Sequence, residues 1–186
     1  TGGGSTATVD MMYQEASIEV VDDNLVRGVR LPYGDGRYNM VALMPASGRT
    51  LQEVVDELEP QHWLAWQEAF TPVDGLELYF PKFRFEFEKK LNELLIAQGM
   101  GLAFTPGLAD LSLIHPTLDL YIDEVKHKTF IDVNEKGTEA AAVTSVGIGV
   151  TSVGSYLMFN QPFLFFIVEK YSGFVVFSGV VGLPAY

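Results

Sequence analysis

Between Leu76 and Phe87 the large apolar residues fall on alternate positions, and the alternation changes parity once. Leu76, Leu78 and Phe80 hold even positions; after Pro81-Lys82 the odd positions Phe83, Phe85 and Phe87 take over. A period of two marks a strand with one buried face, because successive side chains point to opposite sides of a pleated backbone. A strand cannot exchange its faces without an extra residue or a bend, so residues 76–88, read as one long strand, predict a kink at Pro81. The chain is thereby committed to a sheet.

Other segments supply its partners. Residues 6–12, 17–21, 24–31 and 38–44 are short β-branched or apolar runs that read as strands. The last two flank Pro32-Tyr33-Gly34-Asp35-Gly36, a hairpin turn by composition. Residues 121–134 predict another strand. Two apolar runs close the chain, 162–168 and 173–183, separated by Glu169-Lys170-Tyr171-Ser172. Neither reaches the roughly 20 residues a membrane-spanning helix needs, so both are expected as buried strands of a hairpin. Thr50-Leu51-Gln52-Glu53 is a capping box opening a helix with Leu51, Val54, Val55 and Leu58 on one face, and Pro60 opens a second helix carrying Trp63, Leu64, Trp66 and Phe70. A short helix with Leu91, Leu94 and Leu95 is expected to stop near Gly99. Strands outnumber helices without regular βαβ alternation, which predicts an α+β fold of mainly antiparallel sheets with a few covering helices. At 186 residues, 48% of them hydrophobic, one domain with a sizeable core is expected.

Several functions are disfavoured. Twelve Lys and Arg against 24 Asp and Glu give a net charge of -12, the wrong sign for a nucleic-acid backbone. The absence of cysteine removes disulfides, thiolate metal sites and cysteine nucleophiles. The three histidines, His62, His115 and His127, have no metal-ligand spacing, and no cofactor or metal is expected. Val-Thr-Ser-Val-Gly occurs twice, at 143–147 and 150–154, but both copies lack the first glycine of a nucleophile elbow, so the chain does not read as an enzyme. Gly2 to Gly4 lacks the Gly-Lys-Ser/Thr of a phosphate loop. The first residues carry no basic-then-apolar signal segment, although a fragment would have lost one with its missing part.

From Glu135 to Ser155 the composition turns to Gly, Ala, Thr, Ser and Val. By composition this is a long flexible loop. Yet Thr138, Ala140, Ala142, Thr144, Val146, Ile148 and Val150 share the even positions while Glu139 falls on the odd set, the pattern of a strand with one buried face. The segment is either a bistable element, loop in one state and central strand in another, or an ordinary half-buried strand or apolar loop.

The run Asn134-Glu135-Lys136-Gly137-Thr138-Glu139-Ala140-Ala141-Ala142 resembles the hinge of the serpins, inhibitors of serine proteases. At the family's spacing follows Thr151-Ser152, and then Phe159-Asn160-Gln161-Pro162-Phe163-Leu164-Phe165-Phe166-Ile167 resembles the family's C-terminal signature. Met11-Met12, Leu31-Pro32-Tyr33, Pro81-Lys82 and Ala109-Asp110-Leu111-Ser112 resemble further family stretches. The length does not match. The resemblance implies that residues 1–186 are the C-terminal part of a single serpin domain, lacking the N-terminal helices and one wall of the main sheet.

That resemblance also implies a mechanism. Residues 135–158 would be the reactive-centre loop and Thr151-Ser152 the bond offered to a serine protease. Glu135, Gly137, Thr138, Ala140 and Ala142 would form the hinge at which the cut loop enters the main sheet. Lys82 and Glu135 would pair at the breach, and His127 would be the shutter histidine. Small Val150 and Thr151 predict an elastase-like target; cutting at Tyr156 or Leu157 by a chymotrypsin-like enzyme is the alternative. An extracellular location is implied by the family alone, and no nucleic acid or membrane partner is expected. The competing expectations are a non-inhibitory relative and a fragment that binds a separate N-terminal segment or itself through an exposed edge of strand 121–134 or of the strand beginning at Leu76.

Overall fold

Seven strands build the main sheet, in the order β7-β4-β1-β2-β3-β8-β9. They are β1 (Met11–Asp22), β2 (Val26–Tyr33), β3 (Tyr38–Pro45), β4 (Thr71–Pro81), β7 (Tyr156–Met158), β8 (Phe163–Glu169) and β9 (Val175–Val181). Every pairing is antiparallel except the parallel contact of β7 with β4. The computed structural model describes residues 8–117, 119–135 and 155–184. Two compact units emerge, Thr1–Arg84 with Asp132–Tyr186, and Phe85–Ile131.

The first unit buries the central strands β3 and β8 of its sheet on both faces. Odd positions of β3 and even positions of β8 share one face through the pairs Val41↔Phe166 and Leu43↔Leu164. Helix α1 (Leu51–Asp56) and helix α2 (Pro60–Ala69) cover that face, packing Val54, Trp66 and the following Phe70 against these residues and Val21 and Val26. Both arms of the α1 capping box form, with the Thr50 hydroxyl accepting from Glu53 N and Thr50 N donating to the Glu53 carboxylate. Helix α2 is held to the β1–β2 turn by Asp23, which accepts from Leu25 N, Val26 N and Trp66 Nε1. The opposite face is a cluster of rings, Phe80, Phe83, Phe159 and Phe163, with neighbouring centroids 4.9–6.4 Å apart.

In the second unit lie most of β5 (Phe83–Lys90) and β6 (Lys126–Val133), which pair as a separate two-stranded sheet. Helix α3 (Asn92–Leu95) runs on into a wide π turn, Ile96–Met100, and a 3-10 turn, Gly101–Phe104. The Asn92 carboxamide ties this turn to the chain before β6, donating to Asp123 O and accepting from Val125 N. Among the described residues no helix is long and apolar enough to cross a membrane.

The α+β architecture matches the sequence reading, and several boundaries move. Residues 76–88 are not one kinked strand. The parity change at Pro81 separates two strands of different sheets, with Lys82 outside both. The separate strands expected at 6–12 and 17–21 are one strand from Met11 to Asp22, because polar Gln14 and Glu15 interrupt the apolar pattern without interrupting the ladder to β4. The irregularity lies instead in β4, which carries an extra residue between Val73 and Leu76. Residues 121–125 precede the strand expected from 121. The helical path breaks at Gly99, as expected, where a φ of 100° that an L side chain resists precedes the separate 3-10 turn. Val55, Leu58 and Leu64 are exposed rather than core, since α1 ends at Asp56 and each helix contacts the sheet along a narrow stripe. Strand β9, expected to be buried, is an edge strand with Val176, Phe177 and Val180 exposed. Of the strand expected over 76–88, the β4 part has strands on both sides, β7 and β1, while the β5 part pairs among the described residues with β6 alone.

Candidate functional site

The segment singled out by composition is bracketed by two anchors in the first unit. At its start, Glu135 follows β6, and its Oε1 lies 2.7 Å from Lys82 Nζ. Lys82 sits in the break between β4 and β5, where its backbone N–H donates to Asp10 O. The break turns the chain from one sheet to the other and leaves the lysine facing the end of β6. Arg84, two residues on, grips Asp132 with Nε and Nη2 on the same carboxylate oxygen at 3.1 and 2.6 Å, and Asn134 Nδ2 donates to the other oxygen. Two cations two positions apart, Lys82 in the break and Arg84 in β5, thus meet two acids at the end of β6 and just beyond it.

The hydrogen bond from Lys82, joined by one from its own backbone N–H, holds the Glu135 carboxyl below the usual carboxylate range. Its side chain is 55% exposed, so water and salt screen the pair, and its net worth is about 0–1 kcal/mol. A link this weak restrains a strand end without locking it.

At the other end the chain re-enters the main sheet. Glu77 N donates to Ser155 O at 3.0 Å and Phe159 N to Tyr79 O at 2.9 Å, framing the parallel pairs Glu77↔Tyr156, Leu78↔Leu157 and Tyr79↔Met158 of β7. Leu157 is buried and Tyr156 exposed. Tyr156–Met158, the last residues of the range read as loop, therefore form a strand.

His127 lies in β6 with its ring edge-on to Phe87, centroids 6.5 Å apart. Among the described residues its ring nitrogens make no hydrogen bond. The structure brings Lys82 and Glu135 together. Gly137, Thr138, Ala140, Ala142, Thr151 and Ser152 lie outside the described residues. Sequence reasoning missed the Arg84–Asp132 pair, for which the same-sign spacing of Lys82 and Arg84 was a usable signal, and it missed β7, for which three residues gave none.

The family model described as serpin (serine protease inhibitor) matches residues 1–184. The chain belongs to the serpin family. Human Serpin B11 is 33% identical over 97% of this chain and 47% of its own length. The leukocyte elastase inhibitor of Xenopus tropicalis is 37% identical over 95% of this chain and 48% of its own. Among solved structures, the thermophilic serpin tengpin in its native state superposes with a TM-score of 0.70 at 32% identity, covering 94% of this chain and 46% of tengpin. The chain spans about half the length of the relatives it matches.

Proposed function

We propose that this chain carries the bait loop and its two anchors for a serpin-type inhibitor of serine proteases. The observation that supports this reading is the bracketing of residues 136–154 between the Lys82–Glu135 pair and β7. In the proposed mechanism the serine oxygen of a protease attacks the Thr151 carbonyl, the Ser152 amine leaves, and an ester joins the two proteins. The loop, released at Thr151, then swings about Gly137 and enters a β-sheet with Thr138, Ala140 and Ala142 on the buried face, faster than water cleaves the ester. Lys82 and Glu135 form the breach that this entry has to open. His127 acts as the shutter, its ring nitrogens serving partners beyond this chain. The target is an elastase-like protease, supported by the small Val150 and Thr151 and by the name of the Xenopus relative. The proposed extracellular setting rests on the family resemblance.

A second reading is favoured by one observation. Strands β5 and β6 each have a single strand neighbour among the described residues, and such edges recruit other chains. We therefore also propose that a complementary N-terminal serpin segment, or a second copy, covers this edge, and that inhibition needs the complemented form.

The test has two arms. Incubated alone with pancreatic elastase, the chain should be cut between Thr151 and Ser152, as read by mass spectrometry of the products. Complemented with the N-terminal half of a related serpin, it should form an elastase complex that survives SDS. Thr138→Arg should convert the complemented inhibitor into a substrate, because an arginine would have to be buried at the first step of insertion, while Thr151→Arg should redirect inhibition to trypsin-like enzymes. Cutting only at Tyr156 or Leu157, or unchanged inhibition by Thr138→Arg, would overturn the assignment of bond and hinge.

A further inference from the structure

Strands β1, β4 and β7 together carry two short rows of aromatic and acidic side chains. Tyr13↔Tyr79 and Glu15↔Glu77 are neighbouring cross-strand pairs of β1 and β4, and β7 extends the rows with Met158 beside Tyr79 and Tyr156 beside Glu77. Residues opposite in register, or two apart along one strand, point to the same side of a sheet. The alternate residues Leu76, Leu78 and Phe80 are buried on the other side, which leaves Tyr13 and Tyr79 half-exposed on this one.

The two phenol rings meet. Their centroids lie 5.1 Å apart, with the ring planes at 50°. This is an ordinary separation for an aromatic pair. It is also close to that of two phenols bonded through the carbons beside their hydroxyls, so coupling asks for a small movement of the rings while the register keeps the two residues opposite each other. With no cysteine in the sequence, a disulfide cannot join these strands.

The neighbouring charges supply a proton path. Tyr79 Oη donates to Glu77 Oε2 at 3.3 Å, and Glu15 stands opposite Glu77. Like charges directly opposite each other destabilise a strand pair, so the stability of the sheet does not explain this juxtaposition. Partial burial and the Glu77 and Glu15 carboxylates hold the Tyr13 phenol above its ordinary value, and partial burial and Glu77 do the same for Tyr79. Both phenols therefore keep their protons at neutral pH. A phenol that gives up an electron sheds its proton, and a carboxylate within hydrogen-bond reach of the hydroxyl receives it.

We propose that Tyr13 and Tyr79 are the site of an oxidative cross-link, a dityrosine that staples β1 to β4. A peroxidase-class oxidant takes one electron from each phenol, and the hydroxyl protons leave by way of Glu77 to water. The two phenoxyl radicals couple through a carbon–carbon bond between ring positions next to the oxygens, and the hydrogens displaced from those carbons restore the hydroxyls. In sum, hydrogen peroxide becomes two waters and the protein loses two hydrogen atoms. The staple closes the chain between residues 13 and 79 and fixes the strand on which β7 pairs, independently of any action on a protease.

Treatment of the 186-residue chain with a haem peroxidase and hydrogen peroxide tests this. The expected product is a monomer with blue dityrosine fluorescence, a mass lower by two hydrogens, and, after digestion, a peptide pair joined at residues 13 and 79. Its thermal midpoint should rise by several degrees, because a cross-link closing a long loop constrains the unfolded chain. Tyr13→Phe and Tyr79→Phe keep the ring pair and should each lose the fluorescence of the monomer. Tyr171→Phe, which alters a tyrosine 83% exposed in the β8–β9 turn, should keep it. Circular dichroism verifies the fold of each variant. Cross-links formed only between separate chains, a link from Tyr79 to Tyr156 in place of the one to Tyr13, or a folded monomer without dityrosine would overturn the proposal.

Discussion

The seven-stranded sheet and the β5–β6 ribbon are written with the same alternating pattern, and they use it differently. In the sheet, Phe163 is 1% exposed inside a cluster of rings, and the central strand β3 is buried on both faces. In the ribbon, Phe87 is 49% exposed and Phe130 55%. The ribbon also carries ion pairs, Glu86 with Lys128, Glu88 with Lys126, and Lys90 with Glu124. The acidic member changes strand at the last pair. A slip of two residues would set Lys90 against Lys126 or Glu88 against Glu124, so charge specifies the register where packing does not. Periodicity thus tells which residues share a face and leaves open whether anything covers it.

The sharpest way to break this comparison is a pair of truncations. Phe163→Ala should destabilise the chain by about 3–5 kcal/mol, because neighbouring rings cannot close the cavity, whereas Phe87→Ala should cost under about 1 kcal/mol. Urea unfolding midpoints read both, and equal losses would mean that the ribbon is as well packed as the sheet. Overpacking gives the next largest effect. A Cβ on Gly179 would lie 2.6 Å from the Phe165 ring, while one on Gly182 would meet nothing within 4 Å. Gly179→Val is therefore expected to cost about 1–3 kcal/mol and Gly182→Val much less, a contrast that thermal melts can resolve.

Smaller still is the cap of α1. Thr50→Ala should remove about 1 kcal/mol, and Thr50→Ser should restore most of it, since the hydroxyl bond to Glu53 N is what is lost. The smallest effect concerns Glu135. Its carboxyl titrates below the ordinary value of 4.5, so the pair with Lys82 contributes fully above that value and is lost as pH falls through the lowered one. A carboxyl NMR titration should show Glu135 moving back towards the ordinary midpoint in Lys82→Met; an unmoved midpoint would remove the lysine as the cause.

Local signals were legible in the sequence and non-local ones were not. The Thr50–Glu53 capping box and the turn after Pro32 are each complete within a few residues, and both form. The β8–β9 hairpin was readable from two apolar runs around a polar turn, but not the exposure of β9, which depends on its place at the sheet edge. Strand β7 is three residues in parallel register with a strand far away in sequence, below any periodicity threshold. At the candidate site, motif spacing pointed to Lys82 and Glu135.

The sheet order has a mechanical consequence. Strand β7 lies at one margin, and β8 and β9 at the other, with β4, β1, β2 and β3 between them. The polypeptide from Ser155 onward therefore grips the body of the sheet like a clasp with two jaws, and β8 is laced on both sides into strands it does not follow directly in sequence or cannot leave without unpairing. A nick at any point between Glu135 and Ser155 would divide the covalent chain and leave a single particle: two bands after denaturation, one species on gel filtration.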